Sequence, residues 1–214
     1  MLRGVDVTLE TGQVLGVLGP TGAGKTTLFK ALVGELVPSQ GQVWLGVQQV
    51  TTLPLWRRAR LGIGYMAQGP SVFVDLSVRN NLVTYEALAK RGNRGASYWA
   101  QRVGLDKRMD VRAGDLSGGE RRLLELARVM VMEPKVVVCD EPFAGIDPLG
   151  AGKVARQLRM LANGGVGVML SDHHAAIALG ICDRAGLLVD GAIQLWESPQ
   201  RWQADERVRR YYLG

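Results

Sequence analysis

The sequence predicts an α/β fold, in which helices cover both faces of a mostly parallel sheet and a helical lobe and a small antiparallel β part are added. Strand and helix signals alternate at both ends of the 214-residue chain, as they do in such sheets. Between residues 69 and 132 the strand signals stop, and stretches with helical apolar periodicity replace them. We therefore predict a core of residues 1–68 and 133–214, with residues 69–132 inserted as a helical lobe.

The first part of the chain predicts strands on either side of a glycine-rich loop. "VDVTLETGQVLGVLG" alternates and then becomes continuously apolar, which predicts two strands around a turn at Gly12. A helix is predicted from Lys25 to about Val33, closed by Gly34. Further strands are predicted at "GQVWLG" and "GIGYMAQ".

The middle of the chain predicts helices. The stretches are "SVRNNLVTYEALAKR" and "GGERRLLELARVMVM". The second has an apolar face with the spacing i, i+3, i+4, i+7, formed by Leu123, Leu126, Ala127 and Met130.

After Pro134 the alternation of strand and helix resumes. "VVVCD" and "GVGVMLS" predict strands, and "LGAGKVARQLRMLAN" and "HHAAIALGIC" predict helices. "AGLLVDGAIQLW" predicts a hairpin with its turn at Asp190-Gly191, and a short basic helical tail is predicted from Pro199.

Composition excludes some classes of protein. With 47% hydrophobic and 21% charged residues the chain is predicted to be globular rather than disordered. A net charge of +6 permits anionic partners, but the basic residues are dispersed, so we expect no nucleic-acid partner. Cys139 and Cys182 lack metal-ligand spacing and are expected to be buried thiols. The first residues given lack the apolar h-region of a signal peptide, and no apolar run approaches about 20 residues, so a membrane role is expected through a partner.

A phosphate-binding loop is predicted by "GPTGAGKT", which fits G-x-x-x-x-G-K-[ST] between a strand and a helix. Backbone amides of the glycine-rich turn wrap a polyphosphate, Lys25 reaches the β- and γ-phosphates, and the Thr26 hydroxyl binds Mg²⁺. The predicted nucleotide-binding residues of this segment are Gly19, Pro20, Thr21, Gly22, Ala23, Gly24, Lys25, Thr26 and Thr27.

Polar residues follow the predicted strands, where a parallel sheet binds its ligands. Asp140 ends "VVVCD" and is placed to hold Mg²⁺, while Glu141 is placed to take a proton from an attacking water. His173 follows another strand within reach of a γ-phosphate, although a capping or surface role is about equally compatible with its position. Gln68 ends the predicted strand "GIGYMAQ" and could bind Mg²⁺ or the attacking water. By itself it is weak evidence for a site, since a glutamine before Gly-Pro fits a turn as well.

The set of motifs resembles one family, the ATP-binding subunits of ABC transporters. The motifs stand in the family's order, and the resemblance spans nearly the whole chain: "GPTGAGKT", Gln68, "LSGGE", "VVVCDEP", "AGID" and His173. The resemblance implies a P-loop NTPase, RecA-like core with an inserted α-helical subdomain. It also implies an ATPase, with ATP and Mg²⁺ as ligands, coupled to transmembrane transport.

The resemblance implies roles for residues whose position in the sequence is weak evidence of a function by itself. Gln68 would bind Mg²⁺ and link the site to the membrane partner, and His173 would contact the γ-phosphate. Ser117, Gly118 and Gly119 would close on ATP held by a second subunit in a head-to-tail homodimer, and Asp147 would lie in the loop that crosses to that subunit. The implied location is cytoplasmic and peripheral, on the inner face of the cytoplasmic membrane, with integral membrane subunits docked near Phe73.

Within the family the chain is most similar to the ATPases of lipopolysaccharide exporters, through "SVFVDLSVRNNL", "LSGGERRLLELAR", "DEPFAGIDP" and "VRRYYLG". The ATPases of branched-chain amino-acid importers are an alternative, because they share the last of these stretches. A non-transport ABC ATPase is an alternative from another class, disfavoured because no long heptad insertion follows Gln68. A GTPase is disfavoured because no N-K-x-D motif is present, and a hydrolysis-dead binding module because of Glu141 and His173.

One departure from the family concerns the beginning of the chain. The family stacks adenine on an aromatic residue some 25 to 30 positions before the lysine, and Lys25 leaves no room for it. The usual first strand is missing as well. Either this chain binds ATP more weakly, or its true start lies upstream of Met1, and we favour the second because loss of the edge strand would also expose a sheet edge.

Overall fold

The structure is a computed structural model, and it describes residues 2–89 and 94–210. Within these residues six strands form one sheet in the order β4-β5-β6-β1-β7-β8, in which every pair is parallel except the antiparallel hairpin β7–β8. The sheet strands are β1 (Val14–Leu18), β4 (Ile63–Met66), β5 (Val136–Asp140), β6 (Gly167–Ser171), β7 (Arg184–Val189) and β8 (Ala192–Trp196). This confirms the predicted α/β class.

Two very short strands form a separate antiparallel ladder. They are β2 (Trp44–Leu45) and β3 (Gln48–Gln49). Only the middle of the predicted strand "GQVWLG" therefore pairs. This ladder is the small antiparallel part of the fold.

Helices pack on both faces of the sheet and form the lobe. Those of the core are α1 (Lys25–Val33), α2 (Leu55–Leu61), α6 (Pro148–Asn163) and α7 (Ala175–Ile181), followed by the tail helices α8 (Pro199–Ala204) and α9 (Glu206–Val208). Those of the lobe are α3 (Val78–Leu88), α4 (Ala96–Val103) and α5 (Gly118–Val131). The domain boundaries at 68/69 and 132/133 stay a prediction.

Two apolar clusters hold these layers together. One lies between β1 and β5 and helices α1 and α2, with Leu15, Phe29 and Val138 fully buried or nearly so. The other joins the opposite face of the sheet to α6 and continues through α5 into the lobe, with Leu124 and Leu158 at its centre. The α5 face predicted from periodicity is buried throughout. The lobe is thus packed on the core through α5 and α6.

The prediction of a strand before Gly12 was wrong. Residues 5–10 form no strand, although Val5, Val7 and Leu9 pack against the apolar cluster under the sheet. The alternation therefore reports burial correctly, but the segment touches the sheet edge at a single bridge, between Gly4 and Ala192. A strand needs a partner along its length, and alternation cannot supply one.

Helix α2 was missed by the sequence prediction. Its boundaries carried a signal, since Pro54 precedes its first residue and Gly62 ends it in the left-handed conformation at φ 109°. The predicted helix "HHAAIALGIC" is shorter than expected and lies between His174 and Cys182. The ends of "SVRNNLVTYEALAKR" and "VRRYYLG" lie outside the described residues.

Candidate functional site

The glycine loop joins the end of β1 to the beginning of α1. At Gly19, where φ is 155°, a Cβ would lie 2.2 Å from the backbone oxygen of Leu188, so only glycine fits. Gly24 precedes α1 in a left-handed conformation, and no side chain caps the helix. The first intrahelical bond runs from Leu28 N to Gly24 O. The amides of Lys25 and Thr26 come before this bond and have no partner within the helix, so they are available to bind an anion.

Lys25 stands at the centre of this loop. Its Nζ donates to the backbone oxygens of Gly19, at 2.7 Å, and Pro20, at 2.9 Å, and the residue is only 6% exposed. Burial lowers the pKa of the ammonium, and the nearby carboxylates of Glu141 and Asp140 oppose that shift. The loop's own carbonyls thus hold a buried cation near two carboxylates.

Asp140 ends β5 and is buried, with 1% exposure. Ser171, its register partner on β6, donates its hydroxyl to Oδ1 at 2.7 Å. The other oxygen, Oδ2, is buried and has no hydrogen-bond partner within the described part of the chain. A buried carboxylate oxygen without a donor is costly by itself and is suited to ligate a cation directly or through water.

Three predicted catalytic residues meet at the carboxylate of Glu141. Gln68 Nε2 donates to Oε2 at 2.9 Å, and His173 Nε2 lies 3.0 Å from Oε1. The backbone of Glu141 adopts φ 52°, a left-handed conformation that is uncommon outside glycine and is often found where a function requires it. Residues 68, 141 and 173 come from the ends of three neighbouring strands, as the sequence predicted.

The serine-glycine turn begins α5 with a capping box. Ser117 Oγ accepts from Glu120 N at 3.2 Å, and Glu120 Oε2 accepts from Ser117 N at 2.9 Å. That backbone donation is the main reason why the pKa of Glu120 is lowered. The amides of Gly118 and Gly119 precede the first intrahelical bond, from Arg121 N to Ser117 O, so the helix leaves them unpaired.

The two glycines of this turn pack on the loop before α6 and on the first turn of α6, not on the glycine loop. A Cβ on Gly119 would lie 2.8 Å from Gly150 Cα, and one on Gly118 would lie 3.1 Å from the Ile146 side chain. Asp147 caps α6 by accepting from Gly150 N at 2.9 Å, which lowers the pKa of its carboxyl. The predicted residues therefore form two groups, one around Lys25 and Glu141 and one around Ser117 and Asp147.

Sequence reasoning missed a buried ion pair that joins the groups. Arg122 Nη1 contacts Glu125 Oε2 at 2.7 Å, and both side chains are nearly inaccessible. Arg122 Nη2 donates to the backbone oxygen of Gln68 at 2.8 Å, and Glu125 Oε1 accepts from Ser71 N at 2.7 Å. The helix behind the serine-glycine turn thus holds the backbone around Gln68. Charged residues beside an apolar helix face were the available signal, but such residues are usually solvated.

Asp172 has a structural role that the sequence did not reveal. Its buried carboxylate accepts from Phe143 N and from His174 N, each at 2.8 Å, and His174 Nδ1 lies 2.9 Å away. It therefore fixes the segment after Glu141 to the turn that carries His173. Cys139 and Cys182 are free thiols, and burial raises the pKa of each to about 12.

The fold and these motifs agree with the family comparison. The model of the family described as ABC transporter matches residues 2–144. The chain belongs to the ABC transporter family. It is an ATP-binding subunit of this family, an ATPase that serves transport.

Curated relatives align along the whole chain. The lipopolysaccharide export system ATP-binding protein of Acidithiobacillus ferridurans is 42% identical over 219 residues, which cover 100% of this chain and 90% of the relative. The protein of the same name from Escherichia coli K12 is 36% identical, covering 100% and 91%. Among solved structures, an ATP-binding cassette of an ABC transporter in its ADP conformation has a TM-score of 0.89 at 25% identity, covering 100% and 92%.

Within the described residues, no helix is long and apolar enough to span a bilayer.

Proposed function

We propose that this chain hydrolyses ATP in a head-to-tail dimer and that the dimer drives lipopolysaccharide export through integral membrane subunits. The observation that carries the hydrolytic part is the Glu141 carboxylate, which lies between Gln68 and His173 and acts electrostatically on the buried Lys25. A carboxylate held by two polar side chains beside a phosphate loop has the arrangement required of a general base in phosphoryl transfer.

The glycine loop is the proposed cradle for the triphosphate. The backbone N–H groups of residues 21–27 and of Gly19 surround the β- and γ-phosphates, and the Lys25 ammonium moves from the loop carbonyls to the phosphate oxygens. This exchange is favourable because a buried cation gains an anionic partner in place of two neutral carbonyls.

Mg²⁺ is the proposed metal, held by Thr26, Asp140 and Gln68. The unpartnered Oδ2 of Asp140 supports the assignment, since hard cations of this kind take oxygen ligands and often keep several waters. When bound, the ion neutralises charge on the phosphates. Ser171 fixes the carboxylate by donating to Oδ1, and Oδ2 is the oxygen that would hold the ion, directly or through water.

Glu141 is the proposed base. A water oxygen forms the bond to the γ-phosphorus, the bond to the oxygen of the leaving ADP breaks, and the water proton passes to a Glu141 oxygen. Gln68 and His173 hold the carboxylate until ATP arrives, and His173 Nε2 then donates to a γ-phosphate oxygen. Its half-exposed ring allows that movement.

A second copy completes each site. Ser117, Gly118 and Gly119 form an open helix start that carries no catalytic carboxylate of its own, and its glycines pack against Ile146 and Gly150, on either side of Asp147. We propose that this turn binds the γ-phosphate held by the partner's glycine loop and that Asp147 lies at the same interface. Without that partner neither turn is a complete site.

Lipopolysaccharide is the proposed cargo because relatives that align along the whole chain are named for lipopolysaccharide export. The location is then the cytoplasmic face of the inner membrane. Phe73, five residues after Gln68, is 44% exposed and is the proposed apolar contact for the membrane subunit. No nucleic acid is involved.

Co-purification from detergent-solubilised membranes tests the cargo. The Glu141→Gln variant with ATP is used as bait, and the integral subunits are identified by mass spectrometry. We expect exporter-type subunits with a periplasmic domain. A pair of ten-span permeases would contradict lipopolysaccharide export while leaving ATP hydrolysis intact.

A further inference from the structure

An exposed apolar and basic surface lies at the C-terminal end of α1, the end opposite Lys25. We call it the Trp56 patch and define it by Leu36, Val37, Leu55, Trp56, Arg57 and Arg60. All four apolar members are exposed, and Trp56 is 50% exposed. Exposed tryptophan beside exposed aliphatic residues is unusual for a solvated surface and marks an interaction site.

The patch is continuous because a buried arginine joins its two halves. The guanidinium of Arg58 donates to Ala31 O and Leu32 O at the end of α1 and to Leu53 O just before α2. A Cβ on Gly34 would lie 3.0 Å from Leu55 N. The turn after α1, with Leu36 and Val37, is therefore fixed against the first turn of α2, with Leu55 and Trp56.

The cations of the patch are directed at the tryptophan and not at carboxylates. The guanidinium carbons of Arg57 and Arg60 each lie 5.1 Å from the centroid of the Trp56 ring. Neither arginine forms an ion pair within residues 2–89 and 94–210. Glu35, which precedes Leu36, is the acid nearest to the patch in sequence, and it contributes with Asp140 to the raised pKa of the half-buried Tyr65 phenol, whose largest cause is burial.

From this surface we infer that the Trp56 patch binds the anionic phospholipid surface of a bilayer. Tryptophan and arginine are the side chains that sit at the headgroup level, where the indole is half in the apolar region and the guanidinium meets phosphate. Unpaired cations favour an anionic surface, and each basic residue near such a surface strengthens binding about fivefold. A protein partner would need opposing carboxylates, and it is the alternative outcome of the test.

The inference goes beyond the proposed function and rests on it in one respect only, the location of the protein beside a membrane. Lipid contact through this patch would orient the subunit while its membrane partner is absent or rearranging. The test is made without nucleotide, so failure of lipid binding and failure of ATP hydrolysis are separate results.

Vesicle co-sedimentation of the full chain tests the inference. The probes are vesicles of phosphatidylcholine alone and of phosphatidylcholine with about a third phosphatidylglycerol, at about 0.1 M salt, where charges are screened over about 10 Å. We expect binding to the anionic vesicles only. Arg57→Ser/Arg60→Ser should weaken it about 30-fold, the product of the two single effects, and Trp56→Ser should weaken it as well.

Two control variants have matched chemistry. Arg102→Ser/Arg156→Ser removes two exposed positive charges elsewhere, and Trp44→Ser removes a tryptophan that is 55% exposed but lies on the separate β2–β3 ladder. Both should bind like the wild type. Equal losses in the control variants, or no binding to anionic vesicles, would overturn the inference. So would patch variants that bind vesicles normally but lose affinity for purified integral subunits, since the patch would then be a protein interface.

Discussion

The two helix starts that begin with glycine-rich turns are built in opposite ways. At the beginning of α1, Gly24 leaves the helix uncapped and places the buried Lys25 in the loop, close to Asp140 and Glu141. At the beginning of α5, Ser117 and Glu120 cap each other, and the turn carries no buried cation. The first turn has chemical groups for binding and reacting with a phosphate, whereas the second offers only amides and a hydroxyl. This difference is what the proposed head-to-tail dimer requires, in which the second turn acts on a phosphate that another copy holds.

Removing the cation of the first turn should have the largest effect. Lys25→Ala takes the ammonium out of the loop, and we expect nucleotide binding to be abolished because backbone amides alone cannot offset the triphosphate charge. Titration of the purified variant with a fluorescent ATP analogue measures this. Lys30→Ala, an exposed lysine of the same helix, should bind normally. ATP affinity in Lys25→Ala within about threefold of the wild type would contradict the phosphate-loop assignment.

The contrast between the turns was only partly visible in the sequence. The glycine loop, with Asp140, Glu141 and His173 at strand ends, could be predicted because strand-to-helix order alone places those residues at one edge of the sheet. The gathering of Gln68 and His173 on one carboxylate could not be predicted, since it depends on side-chain geometry. The Arg122–Glu125 pair could not be predicted, because only the packing of α5 against residues 67–71 shows that those charges are buried.

The prediction of the fold has the same limit: local features could be predicted from the sequence, whereas features that depend on contacts between distant segments could not. The hairpin turn at Asp190-Gly191 was correct because turn chemistry is local. The predicted strand before Gly12 was wrong because pairing is not local: Val5 and Val7 alternate as a strand would, yet their backbone has no ladder partner among the residues that the structure describes.

Removing the base should separate hydrolysis from binding at the first turn. Glu141→Gln keeps the size and polarity of the side chain but cannot take a proton, so turnover should fall about 10²- to 10⁴-fold with ATP still bound. Phosphate release and equilibrium binding measure the two effects. Glu197→Gln changes an exposed carboxylate and should leave both unaltered. Turnover like that of the wild type in Glu141→Gln would remove Glu141 as the base.

The buried ion pair that links α5 to the Gln68 segment should contribute to the free energy of unfolding. Arg122→Met leaves the Glu125 carboxylate buried without its partner, and we expect a loss of about 3 kcal/mol in the free energy of unfolding. Urea denaturation measures it. In the exposed pair Arg79–Asp110, Arg79→Met should cost less than about 1 kcal/mol. Equal costs for the two variants would mean that α5 is not held to the Gln68 segment through this pair.

The cap of the second turn should have the smallest and most pH-dependent effect. Glu120→Ala should cost about 1 kcal/mol near pH 7. Because the pKa of Glu120 is lowered in the folded protein, its contribution is complete above the ordinary glutamate pKa and is lost as pH falls through the lowered value. Unfolding measured at pH 7 and near pH 3 should therefore show the difference shrinking. A difference that does not depend on pH would exclude the ionised capping box.

Assembly across two copies is the central claim, and static light scattering with ATP tests it most directly. Glu141→Gln should be a dimer with ATP and a monomer without it. Glu141→Gln/Ser117→Arg should bind ATP with the same affinity but remain a monomer, because a large cationic side chain at the helix start blocks the partner's phosphate. A double variant that still forms an ATP-dependent dimer would show that the serine-glycine turn does not complete the partner's site.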